Sequence, residues 1–417
     1  MTVALVMGNM IGSGIFLLPA SLAPFGGLSL VGWLISTGGA LALATVFARL
    51  ARIQPAAGGP YAYTRRAFGD LPAFLVAWGY WISIWTSLGA LAVALVGYLT
   101  AFVPALNSTP AVAATAALAA VWLLIAVNIA GVRAGGWVQV LTTVLKLLPL
   151  VAVTAIGLTH IQPSHFALPH TDVRSLARDV PAVAALTLWA FLGLESATVP
   201  AGSIADPETT IPRATLAGTA ITAIIYIGST VSVMSLIPAA SLGQSTAPFA
   251  DAARAAAGAW AGQAIALGAA ISCFGALNGW ILIVGQLPMA VAQDGLFPRI
   301  FGRLSDRGTP VAGLVIGGIL STSLISMNYT RGLVELFTFI ILLATLSTLV
   351  PYAFCSLAGF MTDREPKAAP APGPSIVAAL AFGYALWAIG GAGAEVVYWG
   401  FLLLIAGLPV YVWVVRS

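Results

Sequence analysis

Hydrophobic positions along this chain gather into runs of roughly 20 residues, and the alternating ten-residue segments of a membrane barrel are absent. The runs predict twelve helices, over residues 2–20, 27–49, 70–103, 109–131, 135–158, 180–203, 213–237, 252–291, 310–328, 332–360, 374–393 and 396–415. The third and eighth are long enough to tilt or to extend into loops. Two runs are interrupted where they should be most regular, the first at Gly8-Asn9-Met10-Ile11-Gly12-Ser13-Gly14-Ile15-Phe16 and the sixth at Trp189-Ala190-Phe191-Leu192-Gly193-Leu194-Glu195-Ser196. Unbonded backbone costs several kcal/mol per group in lipid, so such breaks persist only where they line a cavity or meet a ligand. Breaks at matching positions in two halves point to a binding site at the centre of the bundle.

Composition agrees. The 417 residues are 60% hydrophobic and 7% charged, with a mean hydropathy of +1.00, which excludes a soluble globular domain and indicates an all-α membrane protein in contact with lipid. The net charge of +4 is scattered over short loops without a polybasic run, so nucleic acid is not an expected partner. Its meaning is topological. With loops assigned alternately to the two sides, twelve of the 17 Lys and Arg fall on one side: Arg49, Arg52, Arg65, Arg66, Arg133, Arg213, Arg299, Arg303, Arg307, Arg364, Lys367 and Arg416. Arg174, Arg178, Arg254 and Arg331 fall on the other, which predicts that both termini are cytoplasmic. The apolar start lacks a basic leader, so no cleavable signal peptide is expected. Cys273 and Cys355 lie inside apolar runs and do not suggest a disulfide.

Breaks five helices apart predict two inverted five-helix repeats, 1–158 and 180–360, with 374–415 appended, all within one transmembrane domain spanning 1–417. Gly12-Ser13-Gly14 either packs a neighbouring helix or unwinds to present amide N–H groups to a carboxylate, with carbonyls around Met10 suited to an ammonium. Glu195 is the one carboxylate placed deep in a run, a candidate for proton exchange or a structural hydrogen-bonding group. Lys146, on the fifth helix, lies about ten residues from either end. At about 1.5 Å per residue that is too far for its stem to snorkel, so it should face the bundle interior. There it replaces a bound cation, takes part in proton coupling, or simply bonds backbone carbonyls. Tyr80, Trp85, Trp189, Trp280 and Tyr352 lie well inside their runs and are candidates to line and gate a pocket. His160, His165 and His170 read as a solvated loop without metal-ligand spacing. No HExxH, phosphate-loop or GxSxG pattern is present, and no cofactor is implied.

Four segments carry a resemblance: Asn9 to Phe16, Gly58-Gly59-Pro60-Tyr61-Ala62-Tyr63, Leu188 to Ala197, and Asp294-Gly295-Leu296-Phe297-Pro298. Together they resemble the amino acid/polyamine/organocation transporters, in particular the bacterial arginine/agmatine antiporters and their putrescine/ornithine and lysine/cadaverine relatives. The resemblance implies a LeuT-type fold with discontinuous helices 1 and 6, working by alternating access, and a homodimer as in the arginine/agmatine branch. It implies that Ser13 and Gly14, with Ile15 beside them, hold a substrate carboxylate, and that carbonyls at Met10, Trp189 and Leu192 hold its ammonium. Trp280 would stack on the side chain and Trp189 would close the near gate. Tyr80, Glu195 and Tyr352 would form the distal gate, and Tyr61 matches a tyrosine implicated in pH response.

Two departures qualify the likeness. Where the arginine/agmatine antiporters carry an asparagine on helix 3 and a serine on helix 10, this chain has Leu88 and Ala344, with Ser83 and Ile84 nearby. Lys146 resembles instead the helix 5 lysine of sodium-independent neutral amino acid exchangers. The expectation is a sodium-independent secondary transporter of the bacterial inner membrane that exchanges amino acids or their decarboxylated amines. The alternative is a proton-coupled transporter or exporter of neutral amino acids.

Overall fold

The computed structural model describes residues 2–55, 58–130, 136–170, 172–199, 201, 204–328, 330–361 and 372–416; the side chains of Ser13, 136–145 and 372–374 lie outside that description. Of the basic residues used for orientation, Arg133, Arg364 and Lys367 fall outside the described residues. Every regular element among the described residues is helical. The first expected run is two helices, α1 (Thr2–Met10) and α2 (Ser13–Leu22), followed by α3 (Leu28–Ile53), a short α4 (Pro60–Phe68) and the column α5 (Asp70–Leu99). Next come α6 (Pro110–Ile129), α7 (Gly136–Gly157), α8 (Val173–Leu188), α9 (Pro207–Leu236) and the one-turn α10 (Ala239–Leu242). The chain continues through α11 (Pro248–Ala257), α12 (Ala259–Gln293), α13 (Val311–Met327) and α14 (Leu333–Met361), and closes with α15 (Pro372–Gly391), α16 (Ala394–Ile405) and α17 (Gly407–Arg416).

Among the described residues, nine helical stretches are long and apolar enough to cross a membrane. Three shorter apolar stretches, Lys146–Gly157, Val311–Met327 and Ser375–Gly391, fall in the other expected runs. The molecule is a multi-pass membrane protein. Three boundaries differ from expectation. The run over 252–291 is two helices, because Gly258 turns the chain sharply between α11 and α12. The last run divides at Ala406 into α16 and α17. Helix α8 starts upstream of its apolar run because the Asp172 side chain accepts from Ser175 N at 3.0 Å, a cap that carries the helix out through charged residues.

Burial ranks the helices. In α5, 94% of the most apolar stretch is buried inside the protein, against 11% for Ala394–Arg416, so α5 is the central column and α16 and α17 lie at the periphery. Helix α5 packs against α12 and α14, and α12 packs in turn against α7. The pair α3 and α9 is joined by α8 on α3 and by α1 on α9. Helix α13 touches α5, and α6 touches α12.

Two corners have the same construction. Helix α4 meets α5 at Gly69 (φ 84°, ψ −168°), and α11 meets α12 at Gly258 (φ 85°, ψ −177°). These dihedral angles belong to a region that only glycine occupies readily. Each glycine N–H caps the helix before it, Gly69 onto Arg65 O at 2.9 Å and Gly258 onto Arg254 O at 3.0 Å. Both short helices open on proline, Pro60 and Pro248.

Candidate functional site

The two interruptions meet each other. Helix α1 stops at Met10, Gly12 leaves the helical region (φ −123°, ψ −144°), and α2 begins at Ser13. Opposite, α8 ends at Leu188 and the chain continues as isolated turns, with Leu192 N bonded to Trp189 O at 3.2 Å and Ser196 N to Gly193 O at 2.9 Å. Gly193 adopts φ 100°, and a Cβ there would lie 3.2 Å from the backbone carbon of Asn9. A Cβ on Gly14 would lie 2.7 Å from Nε1 of Trp189, so only glycine lets the indole seat against the start of α2.

A central cavity of about 20 Å³ separates the breaks. That is room for about one water molecule, too little for an amino acid in this conformation. Its walls include Met10, Gly14, Trp189, Leu192 and Trp280, all expected site residues, and Gly12 of the expected break, together with Asn9, Ser87 and Leu91, to which no role was assigned. The backbone of Ser13 starts α2, but its side chain lies outside the described residues. Ile15, Ser83, Ile84, Leu88, Trp85 and Ala344 are buried and do not line this cavity. Ser83 instead donates to Tyr80 O at 2.8 Å. Helical spacing from Tyr80 reaches Ser87 and Leu91, seven and eleven residues on, but reaches Ser83, Ile84 and Leu88 as well, so it does not single the first two out. The indole N–H of Trp189 is buried without a hydrogen-bond partner.

Below the cavity lies Glu195, fully buried, with each carboxylate oxygen bonded to a different tyrosine. The Tyr80 hydroxyl donates to Oε1 at 2.6 Å and the Tyr352 hydroxyl to Oε2 at 2.5 Å. The tyrosines come from α5 and α14, whereas Glu195 lies on the broken segment, so the triad ties that segment to the two long helices. Lys146 is buried on α7, and its ammonium donates to Gly8 O at 3.3 Å. Gly8 lies in the last turn of α1, where carbonyls have no helical partner and the helix dipole is negative, so a cation is favoured there.

Vestibules open on both sides of the cavity. One, of about 480 Å³, is bounded by Asn9, Tyr61, Tyr80, Ser196, Trp280 and Gln286. Tyr61 stands at its mouth and donates to Asp294 Oδ2 at 2.9 Å, with Arg65 Nη1 3.3 Å from the same oxygen. Burial first, and then the Asp294 carboxylate, push the Tyr61 phenol above its ordinary range, so it remains a protonated donor. The other vestibule, of about 800 Å³, is bounded by Ser21, Leu186, Arg331, Glu335, Thr338 and Glu395. Among the described residues no group of His, Cys, Asp and Glu is arranged to hold a metal. His165 Nδ1 sits 2.9 Å from Met234 O and His160 Nδ1 sits 3.0 Å from Ile156 O, each on its own backbone contact.

The sequence profile of the amino acid permease family matches residues 1–411, and with them both breaks and both tyrosines of the triad. The chain belongs to the amino acid permease family. The permease is 37% identical over 365 residues to the cadaverine/lysine antiporter of Escherichia coli, an alignment covering 84% of this chain and 80% of that one. It is 31% identical over 412 residues to the putrescine transporter PotE of Escherichia coli, covering 98% of this chain and 93% of the relative. The putrescine transporter PotE of Haemophilus influenzae is also 31% identical over 412 residues, at 98% and 94% coverage. These are the relatives whose motifs the sequence resembles, and all are transporters. The permease is a transporter and not an enzyme.

Proposed function

We propose that the permease is a sodium-independent secondary transporter of the bacterial inner membrane, exchanging amino acids or their decarboxylated amines by alternating access. One observation carries this: a closed cavity between two helix breaks, with a vestibule on either side. The backbone half of the site suits a zwitterion. The start of α2 at Gly14 takes the carboxylate, carbonyls at Met10, Trp189 and Leu192 take the ammonium, and the free indole N–H of Trp189 adds a donor. Trp280, which lines both the cavity and the Tyr61-side vestibule, stacks on the side chain and separates the two spaces. The ammonium of Lys146 against Gly8 O occupies the place of a metal cation, which supports sodium independence. Glu195 serves as the proton-responsive element of the distal gate.

The architecture proposed is twelve crossings in a LeuT-type arrangement of two inverted five-helix repeats with two helices appended. Helix pairings support it, since exchanging each partner for its counterpart five crossings away in the other half returns another pair. The α8 with α3 contact becomes α1 with α9, α14 with α5 becomes α7 with α12, and α13 with α5 becomes α6 with α12. The Gly69 and Gly258 corners exchange in the same way. Both termini are then cytoplasmic, the vestibule at Tyr61 and Arg65 is the inner one, and that at Arg331 is the outer one. Exposed Trp399, Phe401 and Trp413 on α16 and α17 face lipid or a second copy in a homodimer.

Counterflow in proteoliposomes tests the reading. Vesicles preloaded with lysine or cadaverine should take up labelled lysine without sodium, and uptake driven by a proton gradient alone, with no acceleration by preload, overturns it. The second reading, a proton-coupled transporter of neutral amino acids, is favoured by the apolar walls at Met10, Leu91 and Leu192. Acceleration by leucine or methionine and not by lysine would establish it.

A further inference from the structure

The open question is what the side-chain end of the cavity selects, and the residue that bears on it was not expected from sequence. Ser87 lies on α5, is buried, and lines the cavity. One turn further along, the Cδ2 of Leu91 sits 3.5 Å from where a Cβ on Gly12 would be, so Leu91 marks the level of the break. Ser87 is four residues nearer to Tyr80 and Glu195, about 6 Å along the helix. A substrate whose amino acid frame rests at Gly12 to Gly14 therefore brings the end of a four- or five-carbon side chain to Ser87.

The hydroxyl is not free to choose its role. Ser87 Oγ donates to Ser83 O at 2.5 Å, and a hydroxyl has one proton and two acceptor lone pairs. With the proton committed to backbone, the hydroxyl has only lone pairs to offer a ligand in the cavity. The same cavity is walled by the Trp280 indole, an aromatic ring whose face attracts a cation, and by the apolar Met10 and Leu192, with no basic side chain among the walls to repel one. A carboxylate or carbonyl at this level would face acceptors. An ammonium would find an acceptor and an aromatic face together.

We propose that Ser87 is a specificity-determining residue of this site, accepting from the terminal ammonium of a diamino acid or a linear diamine and so selecting against neutral side chains of equal length. The inference rests on the exchange reading above and names its substrate class.

Equilibrium binding to the purified full-length permease tests the inference with lysine, cadaverine and norleucine, the last being lysine's shape without its terminal amine; counterflow on the same preparations tests exchange separately. Wild type should bind lysine more tightly than norleucine. Ser87→Ala should weaken lysine and cadaverine about tenfold, the scale of one hydrogen bond to a charged group, and leave norleucine unchanged. Ser87→Thr keeps the hydroxyl and its backbone bond and should restore lysine. Equal losses for lysine and norleucine make Ser87 a packing residue and overturn the inference. So does a Ser87→Ala protein with wild-type lysine affinity, or a wild type that prefers norleucine. Selective lysine binding without counterflow from any preload overturns exchange instead, and leaves the role of Ser87 standing.

Discussion

The two vestibules of the permease are bordered by different chemistry. At the Arg331 vestibule the contact between α2 and α14 includes a neutral hydroxyl pair, Ser21 with Thr338 at 2.7 Å, and Thr338 also keeps a bond to Val334 O. At that mouth Arg331 meets Glu395 at 2.8 Å and lies 4.5 Å over the Phe339 ring, but both carboxylates it faces, Glu335 and Glu395, are exposed. Beside the Tyr61 vestibule stands a fully buried carboxylate held by two buried tyrosines. Water readily replaces the outer contacts, whereas separating the inner triad leaves a buried acid and two phenols to be satisfied again. On the proposed reading, the difference places the energetic decision of the transport cycle at the Glu195 triad, on the broken segment assigned there to substrate binding.

Removing Glu195 should break this contrast most severely. Glu195→Ala leaves two buried phenols without their acceptor, at about 1–3 kcal/mol for each unsatisfied donor, and counterflow should fall by about a hundredfold. Glu195→Gln keeps the shape and should retain binding while flattening the pH dependence of exchange; a pH profile as steep as wild type removes the carboxylate from coupling. Lys146→Met comes next. It preserves much of the volume but takes the ammonium from Gly8 O, and exchange should fall by about tenfold to a hundredfold, with a lower melting temperature, as for a buried charge-assisted bond. Full activity and unchanged melting would make the lysine a packing residue.

Smaller changes sharpen the comparison. Tyr352→Phe removes one donor from Glu195 Oε2 and should slow exchange about tenfold, since an unsatisfied buried acceptor costs about 1–3 kcal/mol. Ser21→Ala should alter the rate by no more than about threefold, because the outer hydroxyl pair contributes at the low end for a hydrogen bond. A larger effect from Ser21→Ala than from Tyr352→Phe, measured in the same counterflow assay, would reverse the assignment of the controlling seal.

Sequence made the breaks legible because glycine and polar residues at Gly12, Gly193 and Glu195 contradict their apolar surroundings. It did not reveal the Gly258 corner, since alanine continues on both sides of that glycine and only a dihedral angle ends α11. Nor did it phase α5. A helix buried on nearly every face has no polar side to mark which residues point inward, so Ser83, Ile84 and Leu88 were as plausible from composition as Ser87 and Leu91. The tyrosine partners of Glu195 came from resemblance, because contacts 115 and 157 residues apart leave no local trace.

The matched corners at Gly69 and Gly258 reach beyond mechanics. The segments before them, Tyr61-Ala62-Tyr63-Thr64-Arg65 and Phe249-Ala250-Asp251-Ala252-Ala253, share little likeness, yet the turn angles agree within a few degrees in φ. If the two halves descend from one duplicated gene, what has been inherited most faithfully is a pair of torsion angles. Such ancestry is better sought in glycines with forbidden backbone geometry than in aligned letters.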